Sequence, residues 1–107
     1  MKEYSLGSSK EQVLGFFPEK VIKKIQLGDK LLGGVRIGKR IFVFAASCPH
    51  RGAALTQGTI NGLGEIICPL HEYRFDLATG ALRAGSCGDL EVYPARIEDS
   101  GLKITLP

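Results

Sequence analysis

Fourteen glycines divide the 107-residue chain into short segments, and this spacing limits the possible folds more than any other feature. Short runs separated by glycine are typical of many strands joined by tight turns. Apolar residues alternate along residues 31–37, which predicts a strand with one buried face. Gly38-Lys39 separates that strand from a second run, residues 40–44, which is apolar after Arg40, a pattern typical of a hairpin with a type II′ turn.

The end of the chain shows the same period of two. Residues 102–106 alternate between Leu or Ile and a polar residue, which predicts a strand paired with residues 90–97 through the connection 98–101. Val21, Ile25 and Leu27 indicate an earlier strand, with Lys23 as a misfit on its apolar face, and only residues 8–17 favour a helix. The predicted fold class is therefore all-β.

Length and composition favour one globular domain with no special partner surface. Hydrophobic residues make up 44% and charged residues 23% of the chain, as in ordinary globular proteins. Lys and Arg number 14 and Asp and Glu 11, an excess too small to predict nucleic-acid binding. The longest apolar run, residues 41–46, is far shorter than the roughly 20 residues that cross a bilayer. The first nine residues lack an apolar stretch, so we expect no signal peptide and a soluble cytoplasmic protein.

The cysteines and histidines carry the chemistry. Cys48-Pro49-His50 is followed, after 17 residues, by Cys68-Pro69-Leu70-His71. Two short loops, each with one thiolate and one imidazole, can close around a compact inorganic centre. Three cysteines are an odd number, which argues against a disulfide framework. The glycine- and proline-rich stretch 47–74, which holds both loops, is therefore the predicted functional region.

The pattern leaves three interpretations open. In the first interpretation, the cysteines and histidines are ordinary core and surface residues. In the second, they form a structural Cys₂His₂ zinc site. In the third, they hold a [2Fe–2S] cluster in which two histidines replace two cysteines on one iron. Zinc modules usually have wider spacings between their ligands than the single residue between Cys48 and His50. The spacing therefore favours the iron–sulfur cluster.

The residues around both loops resemble those of Rieske proteins. The resemblance lies in Cys48-Pro49-His50-Arg51-Gly52, in residues 68–80, and in residues 93–98 with the final hairpin, and it covers most of residues 20–107. The length is similar to that of the soluble Rieske-type ferredoxins, which serve ring-hydroxylating oxygenase systems. The resemblance implies a one-electron carrier rather than an enzyme.

The resemblance also implies a ligand set and partners. Cys48 and Cys68 are expected to hold one iron, and His50 and His71 the other through their Nδ1 atoms. The expected donor is a flavin-dependent ferredoxin reductase and the expected acceptor a terminal oxygenase, with the chain acting as a monomer. The alternatives are a small Rieske-fold subunit of a nitrite reductase-like enzyme and a zinc-stabilised interaction module.

The family fold implies a division of the single domain. An antiparallel base is expected over residues 1–44 and 75–107, with a cluster-binding subdomain, residues 45–74, inserted into it. Respiratory members of the family carry a disulfide over the cluster, but the matching positions here are Ala53 and Leu70, so that disulfide cannot form.

Further departures from the family concern the surroundings of the cluster. Tyr73 and Phe75 replace a Ser and a Tyr whose hydroxyls hydrogen-bond to the cluster sulfur and to a ligand thiolate in respiratory members, which predicts a low potential. Glu72 stands where ferredoxin-type members usually have Gly. Cys87 lies outside both loops, and we expect an inert thiol there. Arg51 and Leu70, which flank the ligands, are candidates for contact with a partner.

Overall fold

The computed structural model describes residues 2–49 and 52–107. Within these residues the chain forms one short helix and eleven strands, which confirms the predicted all-β class. The elements are β1 (Lys2–Leu6), α1 (Lys10–Phe16), β2 (Lys23–Leu27), β3 (Lys30–Ile37), β4 (Arg40–Ala45), β5 (Thr59–Ile60), β6 (Glu65–Ile67), β7 (Arg74–Asp76), β8 (Leu82–Ala84), β9 (Val92–Tyr93), β10 (Ala95–Glu98) and β11 (Gly101–Leu106), with a 3-10 turn over Leu55–Gln57.

The strands form three antiparallel sheets. The outer sheet has the order β1-β11-β10, the central sheet β2-β3-β4-β9, and the small sheet β5-β6-β7-β8. Apolar side chains form two separate cores. The base core consists of Val13, Phe17, Ile25, Leu27, Leu32, Ile41, Val43, Tyr93, Leu102, Ile104 and Leu106. The second core, which we call the cysteine core, consists of Val35, Phe44, Cys48, Leu55, Ile66, Cys68, Phe75, Leu77 and Leu90.

The central sheet lies between the two cores. Successive side chains of a strand point to opposite faces, and β3 buries Leu32 in the base core and Val35 in the cysteine core. The prediction that residues 31–37 have one buried face is therefore wrong. Gly33 and Gly34 permit this double burial, because a Cβ on Gly33 would lie 2.4 Å from the ring of Phe44 on the next strand.

Both predicted hairpins are present, although one differs in detail. Ile37 pairs with Arg40 around a turn in which Gly38 has a φ of 64°, as the predicted turn requires. At the end of the chain, β10 pairs with β11. The predicted partner strand 90–97 is interrupted at Pro94, because proline has no N–H to donate to a sheet. The residues before Pro94 join the central sheet and those after it join the outer sheet.

The amino-terminal part completes the base. Helix α1 lies within the predicted residues 8–17, and the Ser9 side chain caps it by accepting a hydrogen bond from the Gln12 amide. Strand β1, which pairs with β11 from Lys2 to Leu6, was not predicted.

Among the described residues, no helix has the length and apolar character that a membrane crossing requires.

Candidate metal centre

The first cysteine lies in a loop that leaves β4 and closes on itself. The Cys48 amide donates to the carbonyl of Ala53 at 2.8 Å, and the Leu55 amide donates to the carbonyl of Ala46 at 2.8 Å. These bonds fix both ends of the loop on the cysteine core, in which Leu55 is fully buried. The predicted ligand His50 and its neighbour Arg51 are outside the described residues.

The second cysteine directly follows β6 and begins a tight turn to β7. The Cys68 amide donates to the carbonyl of Tyr73 at 2.8 Å, so the turn is closed by a backbone bond like that of the first loop. His71 and Glu72 have positive φ values of 63° and 54°. Side chains make this left-handed conformation unfavourable, so the turn is held by its surroundings rather than by local preference.

The two loops bring the thiols of Cys48 and Cys68 together in the interior. The two residues are 2% and 0% exposed, and both belong to the cysteine core. Burial raises the pKa of the Cys68 thiol, and Cys48 raises it further, whereas the Leu70 backbone amide that hydrogen-bonds to the sulfur lowers it. Two thiolates in such a core need a nearby cation to compensate their charge. The pair therefore fits a sulfur-ligated metal centre.

His71 extends the site toward the surface. The residue is exposed, and Leu70 beside it is 37% exposed. Among residues 2–49 and 52–107, no group of three or more His, Cys, Asp or Glu side chains is arranged to hold a single metal ion. The structure brings Cys48 and Cys68 together, and the assignment of the thiols and imidazoles to different irons stays a prediction.

The inner side of the site, which the cysteine core forms, is apolar. Phe75 is fully buried in the cysteine core and offers no hydroxyl to a neighbouring sulfur. Ala53 is partly buried against the same core, and all three cysteines are free.

Sequence reasoning missed a third segment beside the site. Tyr73 packs closely against Gly85, where a Cβ would lie 2.3 Å from its ring. This contact holds the segment after β8, and Cys87 packs half-buried against the cysteine core. Burial raises the pKa of the Cys87 thiol, with contributions from Cys48 and Asp89. Cys87 lies near the site in space although it is 19 positions beyond Cys68 in the sequence. The reason is that β7 and β8 fold back as a hairpin, which no local motif predicts.

A buried thiol pair held by two loops, with an exposed histidine on one of them, is compatible with a small iron–sulfur protein. A family model described as the Rieske [2Fe–2S] domain matches residues 10–94. The chain belongs to this family, and its cofactor is a [2Fe–2S] cluster.

Relatives and solved structures agree with this assignment. The ferredoxin component of a naphthalene 1,2-dioxygenase system from Pseudomonas aeruginosa is 33% identical over 90 residues, which cover 83% of this chain and 86% of the relative. The Sphingomonas yanoikuyae B1 ferredoxin has a TM-score of 0.80 at 28% identity and covers 97% of this chain and 100% of its own. The ferredoxin of carbazole 1,9a-dioxygenase from Nocardioides aromaticivorans IC177 has a TM-score of 0.85 at 23% identity over the whole of both chains and shows the same fold.

The comparisons confirm several predictions made from sequence. The Rieske fold, the [2Fe–2S] cofactor and the role of an electron carrier rather than a catalytic subunit are all supported by relatives of the ferredoxin type. This chain is therefore an electron-transfer protein.

Proposed function

We propose that this chain takes one electron from a flavin-dependent reductase and passes it to a terminal oxygenase. The proposed ligands are Cys48 and Cys68 on one iron and His50 and His71 on the other. The observation that carries the proposal is the buried pair of Cys48 and Cys68, with His71 exposed three residues after Cys68. The names of the relatives, which are ferredoxin components of dioxygenase systems, support the choice of partners.

The chain's own residues explain how a carrier of this kind works. When bound, the [2Fe–2S] cluster takes up and releases one electron. Cys48 and Cys68 anchor the inner side of the site in an apolar core that excludes water. The turn that carries His71 and the half-exposed Leu70 forms the outer side, where a partner protein can approach closely. No substrate pocket is needed for this role.

We also propose a division of the chain into a base and an inserted cluster-binding subdomain. The predicted insertion covered residues 45–74. The hydrogen-bonded strands of the small sheet run from Thr59 to Ala84, which favours including β7 and β8 in the insertion. The remaining strands form the outer and central sheets around the base core.

We expect the protein to work in a reducing cellular compartment. All three cysteines are free, and the cytoplasm keeps thiols reduced. We propose that the chain works there as a monomer, since the exposed side of its site must meet two different partners in turn. Size-exclusion chromatography with light scattering checks the oligomeric state, and a dimer that covers His71 contradicts it.

A reconstituted electron-transfer chain tests the proposed function. The purified protein is mixed with NADH and a flavin-dependent ferredoxin reductase, and its visible spectrum is followed until reduction is complete. A Rieske terminal oxygenase is then added with its aromatic substrate and oxygen. We expect reduction followed by reoxidation coupled to product formation. A protein that stays oxidised with active reductase, or reduced with active oxygenase, contradicts the proposal.

A further inference from the structure

A groove opens on the base of the molecule, where the outer and central sheets do not meet. Strands β1 and β2 are terminal strands of their sheets, and α1 lies beside the gap between them. The groove has a volume of about 330 Å³. The buried residues that line it belong to the base core, and none belongs to the cysteine core. It is therefore separate from the site of electron transfer.

The edge of β2 offers unpaired backbone groups to this groove. Leu27 pairs with Lys30 across a two-residue turn, so these two residues form a hydrogen-bonded pair. Bonded and non-bonded pairs alternate in an antiparallel ladder, which turns the N–H and C=O groups of Lys24 and Gln26 away from β3. Among the described residues, no other segment pairs with this edge.

The floor and one wall of the groove are apolar. Val13, Phe17 and Ile25 are buried at its base. Phe16 rises beside them with its ring edge against Phe17, 5.0 Å between centroids, and is 53% exposed. An aromatic ring left half in water beside an apolar groove is suited to contact with another apolar side chain.

The charge at the rim is positive. Lys24 is the one charged residue among the described residues that line the groove. The amino group of Lys23 lies 5.6 Å from the centre of the Phe16 ring at the same rim. Glu19, the carboxylate nearest to Lys23 along the chain, is already engaged, because it accepts the Gly38 amide and pairs with Arg36, and Glu11 of α1 directly precedes the lining residue Gln12. A second copy of this edge is a poor partner, since it would place lysine against lysine.

We propose that this groove binds an extended acidic segment of a partner protein, which pairs with the edge of β2. The segment's backbone pairs with Lys24 and Gln26, apolar side chains at alternate positions enter the groove, and carboxylates meet Lys23 and Lys24. Strand addition to an exposed edge, with pockets for alternate side chains, is a general mode of peptide recognition. This surface would allow a partner to be held while the exposed side of the metal centre stays accessible.

Fluorescence anisotropy with designed peptides tests the proposal on the iron-loaded protein. The probe is a fluorescein-labelled peptide of about nine alternating valine and glutamate residues, a typical strand length. One control peptide carries lysine in place of glutamate, and another carries N-methyl groups on the amides that face β2. We expect the first peptide to bind at least about tenfold more tightly than either control, a difference of about 1.4 kcal/mol.

Two protein variants locate the site. Lys24→Glu reverses the charge inside the groove and is expected to weaken binding about tenfold or more, whereas Lys39→Glu, an equal charge change in the β3–β4 turn, leaves it unchanged. The thermal unfolding midpoint of each variant, compared with that of the unchanged protein, reports that the base is intact. Absence of binding, equal binding of the acidic and basic peptides, or an unchanged affinity in Lys24→Glu overturns the proposal. Equal binding of the N-methylated peptide also overturns it, because the groove then accepts acidic apolar ligands without strand pairing.

Discussion

The base core and the cysteine core are built differently on the two faces of one sheet. Both cores share the central sheet, and the base core is closed on its other side by long pairings such as the six residues of β11. The cysteine core is enclosed by strands of two or three residues, β5 to β8, and its buried residues include two thiols. The base is thus stabilised by its own hydrocarbon contacts and backbone ladder. We expect the cysteine core, by contrast, to depend on the cofactor that its thiols are proposed to bind.

The largest expected effect comes from removing one thiol of the buried pair. Cys68→Ala deletes a proposed ligand from a fully buried position, so we expect no visible absorbance and no bound iron. Cys87→Ser is the matched control, since it alters a neighbouring half-buried thiol outside both loops and should keep the full spectrum. Bleaching of the Cys87 variant, or a normal spectrum in Cys68→Ala, would assign the ligands differently.

Cluster removal should separate the two cores. When iron is removed with a chelator under reducing conditions, we expect the amides of Cys48 and Cys68, which close the two loops, to exchange about a hundredfold faster. The Thr105 amide, which donates to Pro94 in the base at 2.9 Å, should keep its protection. Hydrogen exchange followed by NMR measures both in one sample. An equal loss of protection in both regions contradicts an independent base.

The reduction potential depends on the groups around the thiols. Hydrogen bonds to cluster sulfur or ligand thiolate stabilise the reduced state, and Phe75, fully buried beside Cys48 and Cys68, has no hydroxyl to donate. Ala53 and Leu70 leave the loops without a disulfide. We therefore expect a midpoint near the low end of the Rieske range, about −150 mV. Protein-film voltammetry measures it, and a midpoint above roughly +100 mV contradicts this argument.

Glu72 should contribute the smallest effect. At ~10 Å and an effective dielectric constant of ~20 to 80, its charge repels an added electron by roughly 0.4 to 1.7 kcal/mol, which corresponds to tens of millivolts. We expect Glu72→Gln to raise the midpoint by this amount while keeping the backbone strain. Glu72→Gly should raise it equally and also stabilise the turn, since Gly tolerates the φ of 54° at this position. Equal midpoints in all three proteins rule out an effect of the charge.

Much of the fold was predictable because local patterns determine it. The β3–β4 hairpin follows from alternation and a Gly-Lys turn, and the fourteen glycines indicate short strands. The sequence did not predict β1, because its pairing with β11 joins residues about a hundred positions apart. It also did not predict the double burial of β3, since one strand's pattern does not tell how many layers cover the sheet.

The pairing of the two cysteines at the candidate site was predictable from the sequence, and the surroundings of the site were not. Cys48 and Cys68 were identified from their spacing to histidines, and the structure places the two thiols together. The packing of Tyr73 against Gly85 and the position of Cys87 depend on how the β7–β8 hairpin folds back. Such contacts follow from tertiary structure, so no short motif carries a signal for them.

Metal and sulfide analysis of the purified protein, expressed with ample iron, tests the central claim most directly. A [2Fe–2S] cluster between the two loops predicts a red-brown protein with two irons and two acid-labile sulfides per chain and no stoichiometric zinc. A colourless protein with one zinc per chain and no iron would contradict the account, since Cys48 and Cys68 would then belong to a structural site with no role in electron transfer.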